Sequence, residues 1–163
     1  MGNNWKITDT LTKVFADEVP DGQGSIRLST LHRETVSCVI AYFGAADWGR
    51  YWKVSVKAPE KIETRLRRVE LVPSAYPCHK EQDDNYLRIV PGMYPDLLRD
   101  LDTEDDGADK KYLTKEVPGQ WRSLWLDVTV DAELAGGDYA IVIETETEDG
   151  EKETLKADLH VVD

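Results

Sequence analysis

Residues 121–130 read WRSLWLDVTV, and apolar and polar side chains alternate along this stretch. One parity holds the aliphatic residues Leu124, Leu126, Val128 and Val130. Successive side chains of a strand point to opposite faces of a sheet, so a period of two predicts a half-buried strand. Residues 52–57, 139–143 and 155–161 alternate in the same way. We therefore predict antiparallel strands with one face in the core.

Shorter apolar segments extend this pattern over most of the chain. Further strands are predicted at residues 11–15, 25–31, 36–43 and 62–72. In the last of these segments the apolar parity changes, which predicts a β-bulge near Arg67–Arg68. Turns rich in Gly, Pro and Asp separate the segments, so many short strands follow one another along the chain.

Eight or more short strands without helical periodicity favour an all-β fold. We predict a two-sheet antiparallel β-sandwich, immunoglobulin-like or jelly-roll-like, as a single domain over residues 1–163. Residues 74–119 depart from the pattern because they are rich in Pro, Asp and Tyr, so a long irregular insertion is predicted there. Within it, only residues 94–101 are predicted to form a short helical turn.

The composition excludes several classes of protein. The 163-residue chain has a net charge of −12, and acids interrupt its most basic stretch, residues 50–72. A nucleic-acid-binding surface needs a larger basic face, so no nucleic acid is expected as a partner. The longest apolar run, residues 38–43, is far too short to span a membrane. No membrane partner is predicted, and no signal peptide is visible at the start, so a cytoplasmic location is expected.

Two groups of aromatic side chains are candidates for a ligand site or an interface. Trp121 and Trp125 share the parity opposite to the aliphatic face of their strand. Exposure of two indole rings to water is energetically unfavourable, so we expect another group to cover them. The candidates are the 74–119 insertion, a neighbouring domain and a sugar ring. Trp48 and Tyr51 cluster with Arg50 around a turn bounded by Gly, where flat rings beside a polar residue suit a carbohydrate.

No arrangement of residues in the sequence indicates catalysis, a metal or a cofactor. The chain lacks a phosphate-binding glycine loop and a nucleophile elbow. Residues 102–107 begin like a calcium loop, but Leu113 stands where a bidentate Glu should close the ligand shell. Cys78 and His79 are neighbours in a turn-like stretch, and we interpret Cys78 as a residue without a chemical role. The chain is therefore not expected to be an enzyme by itself.

Three strings in the second half of the chain carry a resemblance to a known family. YLRIVPGMYPDLLRDL at residues 86–101 precedes PGQWRSLWL at 118–126, and AGGDY follows at 135–139. Together they resemble the N-terminal β-sandwich domain of bacterial proteins similar to family 123 glycoside hydrolases. The resemblance extends over nearly the whole chain, and the Tyr-Pro-Asp and Gln-Trp-Arg-Ser-Leu-Trp runs are its more specific parts.

The resemblance implies a non-catalytic role for this segment. In that family a catalytic barrel follows the sandwich and carries the acidic pair that hydrolyses N-acetylhexosaminides. The chain is thus expected to be the N-terminal accessory domain of a longer chain, with the C-terminal catalytic domain of the same chain as its partner. The side chains expected at that interface are Pro91, Tyr94, Pro95, Asp96, Leu97, Trp121 and Trp125. The alternative is a carbohydrate-binding module that binds glycans through Trp48, Tyr51, Tyr94, Trp121 or Trp125.

Overall fold

A computed structural model describes residues 4–78, 85–105 and 110–162 of the chain. Within these ranges there is no helix long and apolar enough to cross a membrane. The chain forms strands throughout, which are β1 (Trp5–Thr8), β2 (Ser25–Leu31), β3 (Thr35–Phe43), β4 (Tyr51–Lys57), β5 (Ile62–Ser74), β6 (Gly92–Asp100), β7 (Thr103–Asp105), β8 (Lys110–Lys115), β9 (Trp121–Val130), β10 (Gly137–Thr147) and β11 (Lys152–Val162).

The strands assemble into two sheets that pack face to face. One sheet has five strands in the order β1-β3-β9-β5-β6, and the other has six in the order β2-β11-β10-β4-β8-β7. Neighbouring strands are antiparallel, except that β2 runs parallel to β11. The β10–β11 hairpin, joined through the Asp149-Gly150 turn, is the longest paired unit of the six-stranded sheet. The prediction of an all-β, two-sheet sandwich is confirmed.

The core lies between the sheets and is built from the inward parity of each strand. On β9 the side chains of Leu124, Leu126 and Val128 are completely buried, as the alternation of residues 121–130 predicts. Ile141 and Ile143 of β10 belong to the same cluster of buried side chains. Truncation of one such residue to Ala typically costs about 2–5 kcal/mol of unfolding free energy, so this layer specifies how the two sheets pack.

The segment between residues 74 and 119 is more regular than the sequence predicts. Strands β6, β7 and β8 lie within it, and residues 92–100 form a strand where a helical turn was predicted. Strand β6 is at the edge of its sheet and, among the strands that the structure describes, pairs only with β5. An edge strand tolerates Pro because one side of its backbone needs no partner, so Pro95 does not prevent pairing. Composition alone therefore gave the wrong prediction of a long irregular insertion.

Residues 11–15 form a turn and a loop, where the sequence predicts a strand. The carboxylate of Asp9 accepts hydrogen bonds from the backbone N–H groups of Leu11 and Thr12, both at 2.9 Å. A side chain that caps nearby N–H groups in this way turns the chain and competes with strand pairing. This turn starts a loop over residues 9–20 that crosses the outer face of the five-stranded sheet.

The β-bulge of β5 is displaced from its predicted position. Strands β5 and β9 pair in regular register from Ile62 to Val69, and the irregularity lies between Glu70 and Leu71, against β6. Arg68 is therefore directly opposite Leu124 and remains on the inner face of the sheet. The predicted bulge near Arg67–Arg68 is therefore wrong. The apolar parity changes because the inner face of β5 becomes polar towards one end of the strand.

Candidate functional site

Trp121 and Trp125 lie on the outer face of the five-stranded sheet, beside β3. Trp121 is only 7% exposed and packs in a small buried cluster with Val14, Val39 and Ala41. Its backbone N–H donates to the carbonyl of Ala16 at 2.9 Å. The loop of residues 9–20 thus covers Trp121, instead of the predicted 74–119 insertion. We call this group, together with Phe43 and Trp125 packed against it, the outer aromatic cluster.

Trp125 is half-buried at the margin of this cluster and belongs to a polar network. Its indole N–H donates to Asp127 at 2.7 Å, and the Ser37 hydroxyl donates to the same carboxylate at 2.7 Å. Arg67 forms a salt bridge with its other oxygen. Burial acts to raise the pKa of Asp127, but the hydrogen bonds from Ser37, Trp125 and Arg67 outweigh it, and the pKa is lowered. The network holds the Trp125 ring in place.

Tyr94 joins the β6 edge to the loop that covers Trp121. Its ring meets Phe15 edge-to-face at 5.7 Å between centroids, and its hydroxyl donates to the carbonyl of Val90 at 2.6 Å. The guanidinium of Arg88 stacks over Phe15 at 3.8 Å from the ring centroid. It also pairs with Asp17 at 2.8 Å and with Glu18 at 3.1 Å. Residues 86–94 and 9–20 therefore form one connected surface.

Large apolar side chains are exposed along this surface. Leu11 is 85% exposed, Val19 68% and Leu87 73%, and all three line one shallow cavity beside Phe15. Ile89 and Val90 continue the exposed series. We call these five residues the apolar rim: Leu11, Val19, Leu87, Ile89 and Val90. Several large exposed apolar side chains in two neighbouring segments are typical of an interface.

The predicted interface residues on β6 have different environments. Pro91 is exposed just after the apolar rim, whereas Pro95 is buried. Asp96 is exposed at the bulge, where β5 offers it no partner in the register. Leu97 is 46% exposed and lies opposite Glu70. The structure therefore brings Tyr94 against Phe15 of the covering loop, and it places Leu97 towards the inner side of the sheet.

Tyr51 is the first residue of β4 in the other sheet, and Trp48 lies in the bend just before this strand. Trp48 is 55% exposed and Tyr51 46% exposed, and Lys115 lies over the Tyr51 ring at 5.1 Å. Arg50 between them donates to Glu116 at 3.1 Å and also pairs with Glu151. The polar group that the sequence offered to a carbohydrate is thus bonded within the protein. The next residue, Trp52, is buried, as its parity predicts.

An inter-sheet cleft at one end of the sandwich is not among the sites predicted from the sequence. A cavity of about 510 Å³ lies there, and its polar lining includes Tyr42, Arg68, Glu70 and Arg122. Burial raises the pKa of Tyr42 to about 12, and its hydroxyl shares a 2.7 Å hydrogen bond with Thr114. The sequence does carry a signal for this cleft. Arg68 and Glu70 occupy the β5 positions that continue the inward parity of Ile62 and Leu66, but the resulting change of apolar parity predicts a bulge instead.

The His, Cys, Asp and Glu side chains of the described residues do not gather into one site. Among residues 4–78, 85–105 and 110–162 no group of three or more His, Cys, Asp or Glu side chains is arranged to hold a metal ion. His160 pairs with Asp138 at 2.8 Å on the exposed face of the six-stranded sheet. His79 and the end of the calcium-like stretch, residues 106–107, lie outside the described residues, so the structure does not bear on those interpretations.

Comparisons with known proteins bear on the fold. No protein-family model and no curated protein matches the chain. Among solved structures, a family 123 glycoside hydrolase from Clostridium perfringens is similar with a TM-score of 0.65 and 9% identity, over 98% of this chain and 27% of that chain. The N-terminal domain of PorA is similar with a TM-score of 0.47 and 8% identity, over 96% of both chains. The chain thus spans about a quarter of the hydrolase, and the likeness to that part of the hydrolase shows a shared fold.

Proposed function

We propose that the chain is a non-catalytic accessory domain that packs against the catalytic domain of a glycoside hydrolase. The observation that carries this proposal is the apolar rim, with Leu87 and Leu11 each more than two-thirds exposed. About 0.8 kcal/mol is gained for each CH₂ group that is removed from water, so a covering domain would stabilise this surface. The contact would include Pro91 and Tyr94, which adjoin the rim.

Arg88 connects the rim to the loop that covers Trp121. Arg88 ties residues 86–90 to Asp17 and Glu18 through charge-assisted hydrogen bonds and stacks on Phe15. An ordered apolar surface loses little conformational entropy on association, which favours a permanent interface. Flexible loops of the same composition would lose more.

The likeness to one part of a larger hydrolase supports a partner within the same chain. The matched region is 27% of the Clostridium perfringens protein, so that protein contains a sandwich of this kind beside other structure. The strings at residues 86–101 and 118–126, which resemble the N-terminal domain of that family, include part of the rim and the strand that carries Trp121 and Trp125. Sequence resemblance and exposed apolar surface thus meet in one region.

The test begins with the gene beyond codon 163. We expect the reading frame to continue into a catalytic domain, and the protein it encodes should be compared with the 163-residue chain by amide hydrogen exchange. Residues 86–91 should exchange more slowly in the longer protein, because the partner domain covers them. The turn at residues 148–150, far along the six-stranded sheet, serves as the internal control and should exchange at the same rate in both.

A matched pair of variants sharpens this test. Leu87→Asp should lower the melting temperature of the longer protein more than that of the isolated chain, since the charge becomes buried only at the interface. Leu31→Asp, on an exposed residue at the end of β2, should affect both proteins equally. A reading frame that stops at Asp163, or equal exchange of residues 86–91 in both proteins, would overturn the proposal.

A carbohydrate-binding module is the second candidate, and the exposure of Trp48 and Tyr51 favours it. Tryptophan fluorescence should then shift saturably with N-acetylhexosamine oligosaccharides, and Trp48→Ala should abolish the shift. Trp125→Ala tests the other aromatic surface in the same titration. A flat titration of the parent chain would remove this candidate.

A further inference from the structure

The inter-sheet cleft interrupts an otherwise apolar inner face. Strand β5 presents Ile62 and Leu66 to the core, but the next two inward positions are Arg68 and Glu70. On β9 the inward position before Leu124 is Arg122, which lies directly opposite Tyr42 of β3. Charged side chains on the inner face of a sandwich cost desolvation energy, so their presence at one end calls for a physical reason.

Positive charge exceeds negative charge in the cleft. Arg68 donates to Glu70 at 2.7 Å, which leaves Arg122 and Lys115 as the further cations of the lining. The second carboxylate of the lining, Glu116, is already bonded to Arg50 outside the cavity. The lining of the cleft therefore carries a net positive charge in a chain whose overall charge is −12.

Arg122 has hydrogen-bonding capacity to spare. Its Nη2 donates to Gln120 at 2.9 Å. Its Nε–H is buried and has no hydrogen-bond partner among the residues that the structure describes. A buried donor without a partner costs about 1–3 kcal/mol, so this guanidinium is not fully satisfied by the protein itself. Arg122 also lines the cleft, and its terminal Nη groups are where an anionic group would bind.

The remaining wall of the cleft is apolar. Leu71, Met93, Val117 and Pro118 line it beside the charged residues. A pocket that combines apolar walls with a few converging polar groups is typical of a small-molecule site. Arg68 is already paired with Glu70, and the Lys115 ammonium lies over the Tyr51 ring. The guanidinium of Arg122 is therefore the remaining cationic group, and it suits a single negative charge better than a doubly charged phosphate.

We propose that the inter-sheet cleft binds a small monocarboxylate with a compact apolar body, its carboxylate on Arg122 and its body against Met93 and Leu71. This proposal does not rest on the accessory-domain function. A ligand of this class fits within about 510 Å³. Binding involves no covalent step.

The chain offers a specific reporter for this site. Its only methionines are Met1 and Met93, so selective ¹³C labelling of methionine methyl groups gives one signal from the cleft. Cyclohexanecarboxylate is the probe, and cyclohexanecarboxamide is its neutral control at the same ionic strength. We expect the Met93 signal to move saturably with the carboxylate and to stay in place with the amide.

Substitutions identify the anion-binding group. Arg122→Gln should weaken the apparent affinity about tenfold or more, because a charge-assisted hydrogen bond is lost. Arg68→Gln provides a second variant in case the first does not fold. Arg65→Gln, on the outer side of the same strand, should leave the titration unchanged. A Met93 signal that is static up to the solubility limit of the acid, equal shifts with the amide, or unaltered binding in both cleft variants would overturn the proposal.

Discussion

The indole N–H of Trp52 donates a 2.7 Å hydrogen bond to the carboxylate of Glu116, and both residues are almost completely buried. The same carboxylate accepts two bonds from Arg50, at 3.1 and 3.3 Å. Arg50 reaches on to Glu151 at the surface. This relationship joins the start of β4 to the segment after β8, and it orders the loop that carries Trp48.

Glu116→Ala should therefore destabilise the protein strongly. The substitution removes the only acceptor that the Trp52 N–H has among the described residues and leaves Arg50 with Glu151 alone of its two carboxylate partners. Removal of one partner of a buried ion pair costs about 3–5 kcal/mol. Glu151→Gln, at the exposed end of the same network, should cost less than about 1 kcal/mol. Urea denaturation followed by tryptophan fluorescence measures both. Similar losses from the two variants would show that the buried carboxylate has no special role.

The Asp127 network makes a prediction about acid stability. The lowered pKa of Asp127 means that its ionised form stabilises the folded chain above the unfolded pKa of about 3.9, and this contribution is lost as the pH falls through the lower folded value. Asp127→Asn should cost about 2 kcal/mol at neutral pH, since hydrogen bonds to a charged acceptor are weakened. The difference from the parent chain should shrink below about pH 4.

Asp96→Asn is the matched control for this measurement, because Asp96 is an exposed carboxylate on an edge strand. Its denaturation curves should follow those of the parent chain at every pH. If Asp127→Asn lowers the unfolding free energy by the same amount at pH 3 and at pH 7, the contribution of this carboxylate does not come from its charge.

Local alternation was sufficient to predict the fold because each half-buried strand carries the pattern in its own residues. Leu124, Leu126 and Val128 are buried by the parity visible in residues 121–130. The same parity placed Trp125 on the opposite face. Edge strand β6 escaped prediction because one row of backbone hydrogen bonds suffices to hold a strand, and its Pro and Asp residues resemble a turn.

The surroundings of the candidate sites could not be predicted from local sequence. Trp121 is covered by a loop more than 100 residues earlier, held by the backbone bond to Ala16 and by the turn at Asp9. Neither contact produces a periodic pattern in the sequence. Arg68 and Glu70 do alter the pattern, because they place charges where the alternation of β5 would put apolar side chains. A β-bulge would alter the alternation in the same way. Only the regular β5–β9 register distinguishes the two.

The two cysteines should differ sharply in reactivity. Cys38 is completely buried, and burial, with a smaller effect from Asp127, raises the pKa of its thiol to about 12. The thiolate is the reactive form, so Cys38 should resist a thiol reagent while the chain is folded.

Cys78 is partly exposed. An aromatic disulfide reagent should label one thiol in native buffer and two in guanidinium chloride, and Cys78→Ser should abolish the native reaction. Rapid labelling of both thiols in native buffer would contradict the buried position of Cys38.

Gly44→Ala should disrupt the end of the sandwich beside the inter-sheet cleft. An added Cβ would lie 2.1 Å from the carbonyl oxygen of Val117. This oxygen is a backbone atom, so the clash can be relieved only if the backbone around residue 117 shifts. Gly44 also exchanges backbone hydrogen bonds with residues 119 and 120, at 2.8 and 3.0 Å. Overpacking of this kind costs about 1–3 kcal/mol or more.

Gly24→Ala is the control because no atom lies within 4 Å of its added Cβ, and it should change the unfolding free energy by less than about 0.5 kcal/mol. Since Val117 lines the cleft, Gly44→Ala should also shift the Met93 methyl signal without any ligand. Equal unfolding free energies of Gly44→Ala and Gly24→Ala would contradict the close approach of Gly44 to Val117.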